Sequence, residues 1–320
     1  MNEALRTERR FRPAEAKLTA KSSRWRNQLS LQSMVWPGLA FLLVFSYVPM
    51  YGVLIAFKEY DLFEGVIGSP WVGFVHFREF FNDPNFLNVL RNTLAINLLG
   101  LVLGFPAPIL FALFLNEISS KRFKSFVQTV SYLPHFVSWV IFGGLMLTVL
   151  SPSNGALNGL LLQLHLIDEP INFMAKTNLF WFIMVGMEML KGIGWGAIIY
   201  IAAIAGVDQE MYEAAKIDGA NRFQKIRYVT MPAIMGTVVI MLIFAISSIL
   251  NTGFEQVMVM QNALNLDVSE TIDTYVYKVG LSEMRYSYST AVGLAKSVVA
   301  LVLLFGANYV SRKISDSSLF

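Results

Sequence analysis

Six separate windows of this 320-residue chain are each apolar for about the 20 residues that a helix needs to cross a bilayer. They fall at Met34–Ala56, Thr93–Asn116, Ser131–Leu150, Leu179–Ala205, Ala233–Leu250 and Thr290–Val310. In hydrocarbon every backbone N–H and C=O must be paired within the structure, so continuous runs of this kind read as helices rather than barrel strands. With 55% hydrophobic and 15% charged residues, the chain is too apolar for a soluble domain of its length. The expected fold is all-α and integral to the membrane, with six transmembrane helices in one bundle over residues 34–310. Residues 1–33 form a basic leader and 311–320 a short tail.

The distribution of Lys and Arg predicts orientation. The leader carries eight (Arg6, Arg9, Arg10, Arg12, Lys17, Lys21, Arg24, Arg26), and the loop after the second window adds Lys121, Arg122 and Lys124. The loop after the fourth adds Lys216, Arg222, Lys225 and Arg227, and the tail adds Arg312 and Lys313. That is 17 cations on one side, against six on the other: Lys58, Arg78, Arg91, Lys176, Lys278 and Arg285. The positive-inside rule places both termini in the cytoplasm. The net charge of +3 is therefore a topology signal and does not point to nucleic acid. The first window starts too late and runs too long for a cleaved signal peptide.

The leader spaces Leu5, Phe11, Leu18, Trp25 and Leu29 roughly by sevens and fours. That pattern fits an amphipathic helix on the inner leaflet, and equally a disordered basic segment. In the first external loop, Asp83 followed by Pro84 is a helix-start signal. The segment LNGLLLQLHLI in the second external loop is amphipathic but too short to span.

The polar insert at 206–232 carries the strongest functional pattern. Gly219, flanked by Asp218 and Asn221, can take a positive φ without steric cost and break the insert into two helices. These are expected at about Gln209–Ile217 and Arg222–Val229, with Pro232 at the entry to the next span. Ala214 and Ala215 keep the first helix narrow enough for a cleft. Glu213 and Asp218 offer acceptors to a partner's Arg or Lys, while Met211, Phe223 and Ile226 are candidate apolar anchors. Composition alone also fits an ordinary amphipathic loop.

The spacing of Glu213-Ala214-Ala215, Gly219 six residues after the Glu, Val229, and Met231-Pro232 resembles the EAA loop of ABC importer permeases. Met231 stands where Leu is commoner. Further stretches, Pro49–Asp61, Trp71–Thr93, Leu133–Trp139, Asn251–Met260 and Thr271–Leu281, resemble the carbohydrate branch of that family, the MalF-like and LplB-like oligo- and polysaccharide importers. The resemblance covers nearly all of the chain except residues 1–30. It implies a MetI-like, type I importer permease in the bacterial cytoplasmic membrane. Its implied partners are a second, homologous permease in a heterodimer, two copies of a cytoplasmic ATPase that bind ATP and Mg, and an extracytoplasmic solute-binding protein. An oligosaccharide is the implied substrate. The extra amino-terminal spans and large external domain of the maltose-importer relative are absent, so the binding protein would dock on short loops.

The chemical inventory points away from an enzyme. Gly293-Leu294-Ala295-Lys296-Ser297 lacks the glycine spacing of a phosphate-binding loop, so ATP hydrolysis is expected on another chain. There is no cysteine, and His76, His135 and His165 lie in separate segments without ligand spacing, so no metal or catalytic site is expected. Ionisable residues inside spans need a partner or a wet cavity. Glu188 and Lys191, three apart, fit either the lining of a solute path or an ion pair, and Lys296 raises the same question. Asn251, Thr252, Glu255 and Gln256 fit either a sugar site or a helix cap. Trp139, Trp181 and Trp195 fit either ring stacking or interfacial anchoring. The Gly192–Gly196 pair has the spacing for close helix packing. Rival readings are a permease for an amino acid or peptide, a membrane-embedded enzyme, and a carrier that works without an ATPase.

Overall fold

The computed structural model describes residues 32–315, with side chains through residue 313. The expectations for the basic leader and for the end of the tail lie outside these residues.

Among the described residues, five helices are long and apolar enough to cross a membrane: α1 (Gln32–Phe57), α3 (Phe86–Glu117), α7 (Thr177–Ala205), α9 (Arg222–Ser247) and α12 (Tyr286–Ser315). Shorter helices are α2 (Val75–Asn82), α6 (Ala156–Gln163), α8 (Gln209–Ile217), α10 (Phe254–Met260) and α11 (Ile272–Tyr277). The remaining pair, α4 (Lys121–Phe136) and α5 (Trp139–Val149), corrects the expectation of one continuous span at Ser131–Leu150, because the two are bent by 102°. Pro134 cannot supply the N–H that would continue α4. Val137 and Ser138 are extended (ψ 134° and 153°), and the Ser138 hydroxyl caps α5 at the Ile141 amide.

Proline is handled differently in the long helices. In α1, α3 and α9 a widened π-turn ends two residues before a proline: Leu43–Tyr47 before Pro49, Gly100–Gly104 before Pro106, and Ile226–Thr230 before Pro232. Each turn contains the carbonyl four residues back, which a proline ring would otherwise strike. The extra residue diverts that carbonyl and lets the helix run on. The insert therefore does not end in a short helix at Val229 as expected. Its second helix continues through Pro232 as α9, 26 residues long.

The chain passes repeatedly between two ends of the bundle. One bears the insert 206–221 and the turn between α3 and α4. The other bears the segments 58–85, 150–176 and 248–285. Ile109, Ala112, Tyr200, Ile204, Val229 and Ile234 form the core beneath the insert. Ile96, Phe142, Phe180, Met184 and Val257 fill the middle, and Phe80, Val89, Ile272 and Val292 the far end. Central α7 approaches its neighbours closely through Gly194 and Gly196. An added Cβ would lie 2.2 Å from the Ser131 carbonyl oxygen at the first and 3.1 Å from Pro108 at the second. The expected partner in this pattern, Gly192, lines the cavity instead, and an added Cβ there would meet only its own helix neighbour Glu188.

Among the described residues the far end is held by polar contacts between segments distant in sequence. The fully buried Asn92 side chain donates to the carbonyls of Asp267 (2.8 Å) and Glu270 (3.0 Å). The Thr93 hydroxyl accepts from the Ile272 amide at 2.9 Å, and the Tyr60 amide donates to Ser287. Asp83 accepts from the hydroxyls of Tyr275 (2.6 Å) and Tyr288 (3.0 Å), and from the Asn85 amide at the start of α3. Arg285 pairs with Glu79.

Candidate coupling loop and cavity

The insert is built from local rules. Asp208 starts α8 by accepting from the Glu210 amide at 2.9 Å. The helix ends with Asp218 and then Gly219 at φ +77°. The Gly219 amide donates to the Lys216 carbonyl and the Ala220 amide to the Ala215 carbonyl. That pair of bonds closes a Schellman turn, which needs a left-handed residue where glycine stands. Asn221 and Gln224 then form a reciprocal capping box that opens α9.

This geometry sorts the expected contact residues. Glu213, Ala214, Asp218 and Phe223 are exposed, as is Met211. Ala215 faces inward with Tyr212, whose hydroxyl lies 2.9 Å from the Thr230 hydroxyl. Ile226, expected as an anchor, packs into the core beside Val229 instead. Ile217, 87% exposed, supplies the apolar surface that the sequence reading assigned to Ile226. Its projection depends on where the Schellman turn closes, a feature visible only once the helix end is placed. Pro232 lies inside α9, past the widened turn, and is itself exposed.

A cavity of about 450 Å³ lies between α3, α7 and the end of α9. It brings together Glu188, Asn251, Thr252 and Gln256, and adds Asn97, Ser248 and Trp139. It does not gather Lys191, Trp195 or Glu255. Lys191 turns away from Glu188 and donates to the His135 carbonyl at 2.7 Å, with its ammonium 5.1 Å from the centre of the Trp139 ring. It thereby satisfies one of the carbonyls that the bend between α4 and α5 leaves open. Trp195 stacks on His135 with centroids 4.4 Å apart, and Glu255 is exposed outside the cavity. Thr252 and Gln256 serve as both lining and fastening. Thr252 accepts from Asn97 and its amide donates to Asp273, while Gln256 donates to the Met184 carbonyl at 2.8 Å. Asp273 also pairs with Lys296, which lines a second recess of about 430 Å³ beyond Ser248 and Asn251. Asn97 was not foreseen because it sits in an apolar run, and only the packing of α3 against α7 reveals its direction.

An apolar bundle, a cavity that sets a few polar side chains in a mostly apolar lining, and an exposed two-helix elbow together fit a membrane transport permease. The chain belongs to the family of binding-protein-dependent transport system inner membrane components, which matches residues 96–316. It is similar to Protein LplB of Bacillus subtilis (strain 168), 46% identical over 290 residues that cover 91% of each chain. It is 43% identical to the polygalacturonan/rhamnogalacturonan transport system permease protein YteP of the same organism, over 92% of this chain and 91% of that one. Its fold matches a bacterial ABC transporter involved in the import of the acidic polysaccharide alginate, with TM-score 0.83 and 37% identity. That match covers 92% of this chain and 99% of the other. The alginate transporter bound to a pentasaccharide-loaded periplasmic protein matches with TM-score 0.84 at 36% identity, over 93% and 99%. The chain is thus a multi-pass inner-membrane subunit of an ABC importer and is not itself an enzyme.

Proposed function

We propose that this chain is one permease half of a heterodimeric pore that imports an oligo- or polysaccharide. The observation that carries the reading is α9. One uninterrupted helix begins in the exposed elbow at Arg222 and Phe223 and ends beside Ser248, Asn251 and Thr252 of the cavity. A displacement of the elbow therefore reaches the cavity without crossing a joint. The amide and hydroxyl groups of Asn97, Ser248, Asn251, Thr252 and Gln256 suit sugar hydroxyls, and the apolar remainder suits ring faces. The saccharides named for the relatives and the fold neighbour support that substrate class.

The cation count supports a cytoplasmic elbow and cytoplasmic termini. There a separate ATPase pair, holding ATP and Mg, would grip Glu213, Ile217 and Phe223. A solute-loaded binding protein would dock on the loops at the far end. Closure of the ATPase pair would rock the two permease halves between outward- and inward-open states. In vesicles holding the complete importer, Glu213→Ala should lower oligosaccharide uptake at least tenfold while the ATPase subunits still hydrolyse ATP. Unchanged uptake per ATP would refute the elbow as the coupling element, and uptake of amino acids or peptides in place of sugars would refute the substrate class.

A further inference from the structure

Lys296 is a cation inside the apolar helix α12, yet it does not line the cavity. It faces the second recess and pairs with Asp273 of α11. A charge within a span needs a partner, and the pair would answer that need alone if the contacts ended there. They do not. The second carboxylate oxygen of Asp273 accepts from the Thr252 amide at 3.2 Å. Thr252 is buried in the irregular link between α9 and α10, where no helix ladder takes up its N–H. A buried N–H without an acceptor is costly, so the carboxylate decides where Thr252 sits.

Asp273 stands on a fixed base. It lies in the first turn of α11, where Thr271 and Thr274 form a reciprocal cap and the Ile272 amide donates to Thr93 of α3 at 2.9 Å. From that base the contacts run on into the cavity. The Asn97 side-chain amide donates to the Thr252 hydroxyl at 3.2 Å and to the Thr93 carbonyl at 2.8 Å. Both amide hydrogens of Asn97 are then used, which leaves its oxygen as an acceptor. The Thr252 hydroxyl keeps its own hydrogen to donate. Asn97 and Thr252 both line the cavity. A donor and an acceptor side by side match one saccharide hydroxyl, which gives and receives at once.

We propose that Lys296 is a positioning residue for the saccharide cavity: by holding the Asp273 carboxylate, it fixes the Thr252–Asn97 pair that grips a sugar hydroxyl. The assignment rests on the reading of the cavity as the saccharide site. A hydrogen bond to an ionised acceptor is roughly twice as strong as a neutral one, so the ion pair reaches Thr252 although its cation stays outside the cavity.

The discriminating variant is Asp273→Leu/Lys296→Met. Replacing a covered ion pair by apolar residues of similar volume is often neutral or stabilising, so a purely structural pair predicts no loss of function. In the complete importer the thermal midpoint should hold while amide exchange over 250–253 quickens about tenfold, as one lost hydrogen bond to a charged group implies. Lys296→Arg, which keeps the pair, should exchange like the native chain. Lys296→Met alone keeps the carboxylate without its cation; it should quicken exchange less, and it supplies the same reading where the double variant does not assemble. Unchanged exchange over 250–253, or equal quickening over 209–217, would overturn the tether. In vesicles given tritiated oligosaccharides from a pectin digest, the double variant should take up several-fold less sugar per ATP hydrolysed. Thr252→Val should show the same loss, and the triple variant no further loss, because the pair acts through that side chain. Losses that add would overturn the positioning role. Uptake of none of these sugars by the native importer would count against the saccharide reading alone, with exchange still deciding the tether.

Discussion

The two ends of the bundle are made in opposite ways. The elbow at 206–232 takes its shape mainly from bonds between residues two to five apart: Asp208 to Glu210, Asn221 to Gln224, and the amides of Gly219 and Ala220 to the carbonyls of α8, with the Tyr212–Thr230 hydroxyl pair 18 apart. The far end is closed by bonds between residues about 175 to 230 apart, through Asn92, Thr93, Asp83 and Tyr60. A device held by local bonds can move as a unit while keeping its shape. A device held by long-range bonds resists separation of the segments it joins. The coupling role proposed for the elbow suits the first kind of construction, and the docking role proposed for the far end suits the second.

The largest effect should come from Asn92→Leu. It removes the donor to the buried Glu270 carbonyl, at a cost of up to about 3 kcal/mol, while the Asp267 carbonyl keeps Asn88 and Arg91 as donors. Hydrogen exchange should quicken over 266–277 and stay unchanged over 209–217; equal loosening of both regions would abolish the contrast between the ends. Next is Gly219→Val, which forces a β-branched residue to φ +77° at a cost of about 1–3 kcal/mol. Uptake should fall sharply with little change in the thermal midpoint, and a matched loss of both would make Gly219 a stability residue only. Asn221→Ala should follow at about 1 kcal/mol for the lost cap, read as faster amide exchange at Phe223 and Gln224 alone.

The smallest effect concerns pH. Burial pushes the Asp83 carboxyl up, but hydrogen bonds from Tyr275, the Asn85 backbone and Tyr288 outweigh it and hold its pKa below the usual value. Tyr275 is pushed the other way, by burial first and then by its bond to Asp83. A depressed carboxylate stabilises the folded state above its unfolded pKa near about 3.9. That contribution fades as pH falls through the depressed value. Thermal stability should therefore decline below about pH 4, and Asp83→Asn should be less stable at neutral pH with a flatter acid limb. An unchanged acid limb would remove Asp83 from the far-end network.

The same contrast explains what the sequence made legible. Membrane spans announce themselves by length and hydropathy, and the elbow by caps and a glycine within a dozen residues. The bend at Pro134 was hidden because the apolar run continues across it. From the sequence Lys191 fits either a solute path or an ion pair with Glu188, and its acceptor in the structure, the His135 carbonyl, exists only where that bend exposes it. Asn97 and Asp273 gave no local signal at all, since their partners at Thr252 and Lys296 lie on segments distant in sequence.

The passage of α9 through Pro232 has a mechanical consequence. At 1.5 Å per residue its 26 residues form a rod about 39 Å long. A tilt of about 5° at the elbow swings the far tip by about 3 Å, the whole length of a hydrogen bond. A break at Pro232 would have absorbed that rotation. Because the widened turn keeps the rod whole, a small angular input beside Phe223 is enough to shift Ser248 and the cavity wall it carries by that distance.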